Sequence, residues 1–322
     1  MLALDPRTGP ETVAEGCIRI SLPDPFVPGV TSVFLIGSGR DRWLVDSGAD
    51  TPESESALRT KLAGLGLAPE DLPMVLGHTH LDHAGGLLRF APRELVAHVR
   101  AVDEMRETKP RSSRGPQALR SMGLSEEVIA ALAPDGEPVH GTPFTDTPVH
   151  TALEGSSGDL AGPDGWQWVL AEGHAPGHLM LFDEESGTLL AGDQFLRKWK
   201  TPLIVSDPDF DSLGAYLDSV RLARDLSPAR ICSSHMATMD DPVAWLGDTE
   251  RAFEKRLGRV SSALEEGART AEEVLVHLYP NTATGPLRIV FLREFLAMLR
   301  HLMASGSAFR TLEDGVEIFR PA

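Results

Sequence analysis

The sequence predicts a mixed α/β protein of stacked sheets and helices, closed by a small helical module. Three observations predict it. Short apolar runs bounded by glycine or proline recur along the first three quarters of the chain and read as strands. A helical segment separates some of those runs, the pattern of a layered α/β structure rather than of an all-β one. After Asp240-Asp241-Pro242 the strand signal gives way to helical periodicity, with a hairpin at the very end.

The elements follow in order. Residues 1–16 read as a loose lead-in. Cys17 to Leu22 alternates apolar and polar, as a half-buried strand does, and is broken by Pro23, Pro25, Pro28 and Gly29. Thr31 to Gly37 is a second strand, and Trp43 to Gly48 a third that ends in Asp46. Thr51-Pro52-Glu53 opens a helix with a hydroxyl cap and proline at its first position, running to about Gly64. Pro73 to Gly77 is the next strand. Leu95 to His98 is a short one. Ala101 to Thr108 and Gln117 to Met122 are short helices, and Ser125 caps a third that starts at Glu126. A stretch rich in Gly, Pro, Ser, Thr and Asp runs from Pro134 to Gly165, with a strand piece expected at Phe144 to His150. Strands then follow at Trp166–Ala171, Leu179–Phe182, Thr188–Asp193 and Arg230–Ser234, with an amphipathic helix at Asp211–Asp225 before the last of them. Trp245–Glu265, a helix opened by the capping box Thr270-Ala271-Glu272-Glu273, and Pro286–Ala304 are helices; Arg310–Arg320 is a hairpin turning at Glu313-Asp314-Gly315. The expected division is 1–242 as a catalytic domain, with 98–165 as a substrate cap, and 243–322 as a winged-helix-like module.

Length and composition narrow the class. A chain of 322 residues suits a large domain plus a smaller one. Cys17 and Cys232 are the only cysteines, so neither a disulfide framework nor a thiolate metal cluster can form. The net charge of −17 disfavours non-specific attraction to nucleic acid or anionic membrane. No apolar run is long enough to span a bilayer. Met1 to Glu15 is polar and acidic, without the pattern of a signal peptide, so a cytoplasmic location is expected.

The chemistry is concentrated at strand ends. His78, His80, Asp82 and His83 lie within six residues, directly after the apolar run Met74-Val75-Leu76. Imidazole and carboxylate are the usual ligands of zinc and similar divalent metals. Three later strands end at His174, Asp193 and His235. A lone histidine at a strand end is more often structural than a ligand. Four strand ends in succession that all carry His or Asp are hard to assign to packing.

His78-Thr-His80-Leu-Asp82-His83 with Gly85-Gly86 resembles the HxHxDH signature of the metallo-β-lactamase-fold hydrolases. Gly173-His174-Ala-Pro-Gly177-His178 is similar to their second motif, Gly192-Asp193 to their third and His235 to their fourth, with Leu44-Val45-Asp46-Ser47-Gly48 as their early strand. The resemblance covers about residues 17–240. It implies a four-layer αββα sandwich with two divalent metal ions at its edge, Zn²⁺ foremost, with Fe or Mn as other candidates. It implies that His78, His80 and His174 hold one metal, that Asp82, His83 and His235 hold the other, and that Asp193 bridges them. His178 then stands behind the ligands or is structural. Asp46 orients a ligand or merely caps its strand. His98, His140, His150, His277 and His301 fit no motif. Two departures stand out: Gly77 replaces the family's usual threonine, and His235 sits in Ser-Ser-His-Met rather than after glycine.

Two such ions can share a water and lower its pKa towards neutrality, and the hydroxide then attacks a carbonyl or a phosphorus. Asp82 is the candidate proton acceptor. A bridging aspartate, rather than the cysteine of many true β-lactamases, resembles glyoxalase II, the lactonases and the phosphodiesterase branches. Gln194-Phe195-Leu196 stands where some lactonases have a tyrosine. Lys198 and Lys200 follow Asp193, as a basic residue does in glyoxalase II, and are candidates to meet an anionic substrate. The expected function is hydrolysis of a small ester, thioester or lactone. The alternatives are a phosphodiesterase or ribonuclease using the same two metals, and a mononuclear-iron persulfide dioxygenase. The partner expected is a small-molecule substrate, without a membrane. The C-terminal module resembles the tail of a branch that includes an endoribonuclease, and Arg251, Lys255, Arg256 and Arg259 offer a basic face there. The overall charge argues for packing or homodimer formation instead.

Overall fold

Strands that are apolar at every position have to be buried on both faces. The computed structural model shows how this chain does so; it describes residues 4–26, 29–107, 116–132, 144–197, 201–205, 207–280 and 286–322. One sheet has seven strands in sequence order: β1 (Glu11–Ala14), β2 (Cys17–Pro23), β3 (Val30–Ile36), β4 (Trp43–Val45), β5 (Pro73–Val75), β6 (Glu94–His98) and β7 (Thr151–Leu153). The first four pair antiparallel, and β4 through β7 run parallel. The second sheet has six strands: β8 (Ser157–Asp159), β9 (Trp166–Leu170), β10 (Leu179–Asp183), β11 (Thr188–Gly192), β12 (Arg230–Ser233) and β13 (Met239–Asp240). Only β11 and β12 run parallel in it.

Alternation along the strands builds two cores. Val33 and Leu35 of β3, Met74 of β5 and Leu95 and Ala97 of β6 pack with Leu58 and Leu62 of α1 (Pro52–Ala63). Phe34, Ile36, Val75 and Val96 point the other way and meet Trp166, Trp168, Leu179, Leu181 and Leu190 of the second sheet. The outward face of that sheet buries Met180, Phe182, Leu189 and Ile231. α2 (Leu81–Ala84) and α3 (Val99–Arg106) complete the neighbourhood of the strand ends, and Val102 and Met105 of α3 join the outer core. The expected cap at α1 is present: Thr51 Oγ1 accepts the Ser54 N–H at 3.1 Å, with Pro52 at the first turn.

Two expectations change. The lead-in is not loose throughout. Residues 11–14 form β1 against β2, and Lys61 Nζ donates to the carbonyls of Pro6 at 2.7 Å and Ser21 at 2.6 Å. The strand piece expected at Phe144–His150 is a turn and an irregular stretch. Phe144 is buried in the outer core, and Pro148 cannot donate to a ladder, so strand pairing begins only at Thr151.

The chain divides into two compact units. One is Met1–Thr108, Thr142–Thr201 and Arg221–Ala244; the other is Lys109–Gly141, Pro202–Val220 and Trp245–Ala322. The second includes α4 (Pro116–Ser121), α5 (Glu126–Leu132) and the first part of α6 (Ser212–Leu226). It also holds α7 (Val243–Glu265, from Trp245 on), α8 (Ala271–Leu278) and α9 (Pro286–Ala304), with the hairpin β14 (Ala308–Glu313) and β15 (Val316–Pro321). Asp314 and Gly315 make its two-residue turn, both with positive φ of 49° and 82°. The capping box of α8 is stretched by one residue: Thr270 Oγ1 accepts the Glu273 N–H at 3.1 Å, while the Glu273 carboxylate reaches back to the Arg269 N–H at 2.6 Å. Arg300 and Glu317 form a buried ion pair at 2.5 Å, and Arg300 Nη1 also donates to the carbonyls of Val205 and Asp207.

Candidate metal centre

Parallel strands deliver the residues that follow them to one edge of a sheet. In the first unit β5 delivers His78 and His80, and α2 immediately presents Asp82 and His83. From the second sheet β9 leads to His174, β11 to Asp193 and β12 to His235. The edges are joined by the Leu179 N–H, which donates to the Gly77 carbonyl at 2.8 Å. Among the described residues three groups have their donor atoms within 4.8 Å of one another: His78, His80 and His174; Asp82, His83, Asp193 and His235; and Asp46, His78 and His83, in which Asp46 engages His83 Nδ1 from behind, so the first two are the donor sets that face the site.

In the first set three nitrogens converge. His80 Nδ1 lies 3.1 Å from His78 Nε2 and 3.0 Å from His174 Nε2. A tetrahedral ion with bonds of about 2.0–2.1 Å spaces its ligand atoms about 3.3 Å apart, so the spacing fits. His78 is fully buried, and burial together with the charge of neighbouring imidazoles holds it well below the ordinary 6.5, hence neutral and able to offer a lone pair.

Charges alternate in the second set. His235 Nε2 lies 3.1 Å from Asp82 Oδ2 and 3.2 Å from Asp193 Oδ2, and His83 Nε2 lies 3.4 Å from Asp193 Oδ1. Burial alone would depress His83, but the carboxylates of Asp193, Asp82 and Asp46 prevail and raise it well above 6.5. His235 is likewise raised to about 10 against its burial, by Asp193 and Asp82. Burial opposes ionisation of Asp82, yet the charge of His83 and the hydrogen bond from His235 bring it down to about 2. Asp193 is also driven well below 3.8, burial being outweighed by His83 and His235.

The rear nitrogens fix which atoms face inward. His83 Nδ1 donates to Asp46 Oδ2 at 2.7 Å, and His235 Nδ1 donates to the Val30 carbonyl at 2.8 Å, so each directs Nε2 at the site. Among the described residues His83 Nε2 and Asp193 Oδ1 are buried and make no hydrogen bond, facing each other at 3.4 Å as atoms that share a cation would. Asp46 also accepts the Gly77 N–H at 2.7 Å. A Cβ at residue 77 would stand 3.0 Å from Asp46 Oδ1, so glycine there lets the carboxylate seat directly on the backbone. His178 is brought close but behind: its Nε2 accepts the Asp193 N–H at 3.3 Å, and burial pulls it down to about 3. A Cβ on Gly192 would lie 2.7 Å from that nitrogen.

Other sequence candidates separate from this cluster. Lys198, Lys200 and His140 lie outside the described residues. His98 accepts the Arg100 N–H, His150 accepts the Leu95 N–H, His277 pairs with Glu266 and His301 with Asp211. On α7, Arg251 pairs with Asp248, Arg256 with Glu294, and Arg259 donates to Tyr279 at 3.0 Å while lying over its ring. The sequence carries no sign that Thr79, Arg100, Glu104 or Glu172 supports the site, and it marks Gln194 only by its place after Asp193.

Two sheets back to back, with a buried cluster of histidine and aspartate at one edge, define a metal-dependent hydrolase architecture. The chain belongs to the metallo-beta-lactamase superfamily, whose sequence profile matches residues 26–235. It is a metallo-hydrolase of that superfamily, with a site for divalent metal. The probable metallo-hydrolase YqjP of Bacillus subtilis (strain 168) is 28% identical over 293 residues, which is 83% of this chain and 86% of that protein. A metallo-beta-lactamase family protein from Thermus thermophilus shares the fold at a TM-score of 0.75 and 22% identity, over 97% of this chain and 100% of that one. An atrochrysone carboxyl ACP thioesterase of Aspergillus fumigatus is 40% identical over 65 residues, only 19% of this chain and 15% of that protein. Among the described residues no helix is long and apolar enough to cross a membrane.

Proposed function

We propose that the protein is a two-metal hydrolase, with zinc as the ion and a small ester or thioester as substrate; lactones are the less favoured member of the same class. One observation carries the two-metal reading. Asp193 borders both donor sets, with Oδ2 3.6 Å from His174 Nε2 and 3.2 Å from His235 Nε2, and Oδ1 3.4 Å from His83 Nε2. His78, His80 and His174 would hold one ion, Asp82, His83 and His235 the other, with Asp193 between them. The bound ions would supply Lewis acidity and a water of lowered pKa. Asp82 is the more exposed of the two carboxylates and would take the proton released as the carbonyl is attacked. His83 and His235, locked from behind by Asp46 and the Val30 carbonyl, would keep the ligand geometry through turnover.

The thioester preference draws on one partial relative, the atrochrysone carboxyl ACP thioesterase. Gln194, Phe195 and Leu196 are buried and so offer nothing to a lactone where a tyrosine would be expected. The test is metal analysis of the purified protein, followed by a screen of thioester, ester, lactone, β-lactam and phosphodiester substrates. Two zinc ions per chain and turnover of a thioester or ester are expected. A single tightly held iron with persulfide turnover would sink the reading. So would salt-sensitive RNA binding with turnover of a bis-aryl phosphodiester alone.

A further inference from the structure

Glu172 is 8% exposed and lies midway between the end of β9 at Leu170 and His174. A buried carboxylate is costly unless it is paired and hydrogen-bonded, and this one is. Its Oε1 accepts the Gly177 N–H at 2.8 Å, which closes the loop carrying His174. Its Oε2 meets Arg100 Nη1 at 2.6 Å. Its main-chain carbonyl accepts Gln194 Nε2 at 2.8 Å, and Gln194 follows Asp193.

Arg100 belongs to α3, and α3 touches the loop a second time. A Cβ on Gly177 would stand 2.3 Å from the Ala101 nitrogen, so the loop rests on the first turn of the helix. Glu104, four residues beyond Arg100 and therefore on the same side of α3, accepts a hydrogen bond from Thr79 Oγ1. Thr79 lies between His78 and His80. One short helix thus holds both segments that supply the three-imidazole set.

We propose that Glu172 and Arg100 are a positioning pair that keeps His174 at the spacing from His78 and His80 that a divalent cation needs, with α3 as the brace. The inference rests on the metal reading above. Three imidazoles can coordinate one ion only with all three lone pairs turned inward at about 3 Å, an arrangement that repels itself without a cation or a shared proton, so the loop bearing His174 is held from outside the set. Neighbours of ligands that fix their orientation typically alter metal affinity by about 10–100-fold when removed. The second set needs less of this, because its own carboxylates and imidazoles attract.

The experiment is a Zn²⁺ titration of the full chain against a competing chelator, with thermal unfolding of the metal-free protein alongside. The variants are Glu172→Gln, Arg100→Gln, the double variant and Arg100→Lys. The Arg100 side chain is 46% exposed, so its replacements leave packing intact even if Glu172→Gln folds poorly. Each single neutral variant is expected to weaken one of the two zinc ions by about 10–100-fold and leave the other unchanged. The double variant should be no worse than either single one, and Arg100→Lys should recover most of the affinity. Wild-type affinity for both ions in Glu172→Gln and Arg100→Gln would overturn the inference while the two-metal reading stood. A wild-type chain that binds no zinc would overturn both.

Discussion

The two donor sets sit side by side and are built on opposite principles. His78, His80 and His174 bring three imidazoles together, with one carboxylate, Asp193, at their border 3.6 Å from His174, and His78 is held neutral by burial. Asp82, His83, Asp193 and His235 interleave two acids with two bases that attract each other. The first set is organised by its surroundings, through α3, Thr79 and Glu172. The second is also held from behind, by Asp46 and the Val30 carbonyl, but adds the attraction of its own charges. A ligand set without its cation is therefore not one kind of object. One half is held open by the scaffold, and the other is closed by its own charges and must give up protons to take a metal.

The substitution that should disturb the comparison most is Asp193→Ala, because that residue borders both halves. Metal content should fall at both, and kcat/KM should drop by at least about a thousandfold, since several kcal/mol of transition-state stabilisation goes with the ions; assays on the best thioester substrate and elemental analysis would measure this. Next is His80→Ala, expected to abolish hydrolysis and reduce zinc from two ions per chain to one. Full activity in that variant would rule out the metal mechanism.

The third prediction concerns the metal-free protein and its pH dependence. His235 is raised from 6.5 to about 10 in the folded state. Its ionic pairing therefore stabilises fully below pH 6.5 and is lost as pH rises through about 10. Chelated protein should lose thermal stability over that window, and His235→Gln should flatten the loss. A metal-free melting profile that does not fall on the alkaline side would show that the second half is not held by its own charges. Smallest is Asp46→Asn. It weakens the partner of His83 Nδ1 and should cost about 10–100-fold in affinity chiefly at the second half, read by the same chelator competition.

Much of this is legible in the residues, for a physical reason. Strands buried on both faces carry unbroken apolar runs, so β3, β5, β10 and β11 announce themselves, and ligands stand shortly after the runs of β5 and β11. Edge strands announce nothing. The side chains of β7 and β8 are mostly exposed, and these strands are held by backbone pairing to β6 and β9, so Thr151–Leu153 and Ser157–Asp159 look like loop. β1 hides in the same way. At the site, His78 to His83 can be read because they are adjacent. Arg100 and Glu104 cannot, because only the crossing of α3 behind two loops brings them near, and nothing in their local sequence marks that crossing. Gly77 is visible as a departure. Its reason, room for the Asp46 carboxylate, needs the geometry.

The ligands come from two different sheets: His78, His80, Asp82 and His83 from the first, His174, Asp193 and His235 from the second. An ion bound between them is a cross-link as well as a reagent, a clasp closing two halves of a sandwich otherwise held by apolar contact and a few hydrogen bonds such as Leu179 N–H to the Gly77 carbonyl. It binds only when both sheets are folded and in register, so its free energy of binding is added to their cooperativity. The melting point should then climb with free metal concentration even in a variant that has lost all turnover. Metal supply would set how long the chain survives as well as how fast it works.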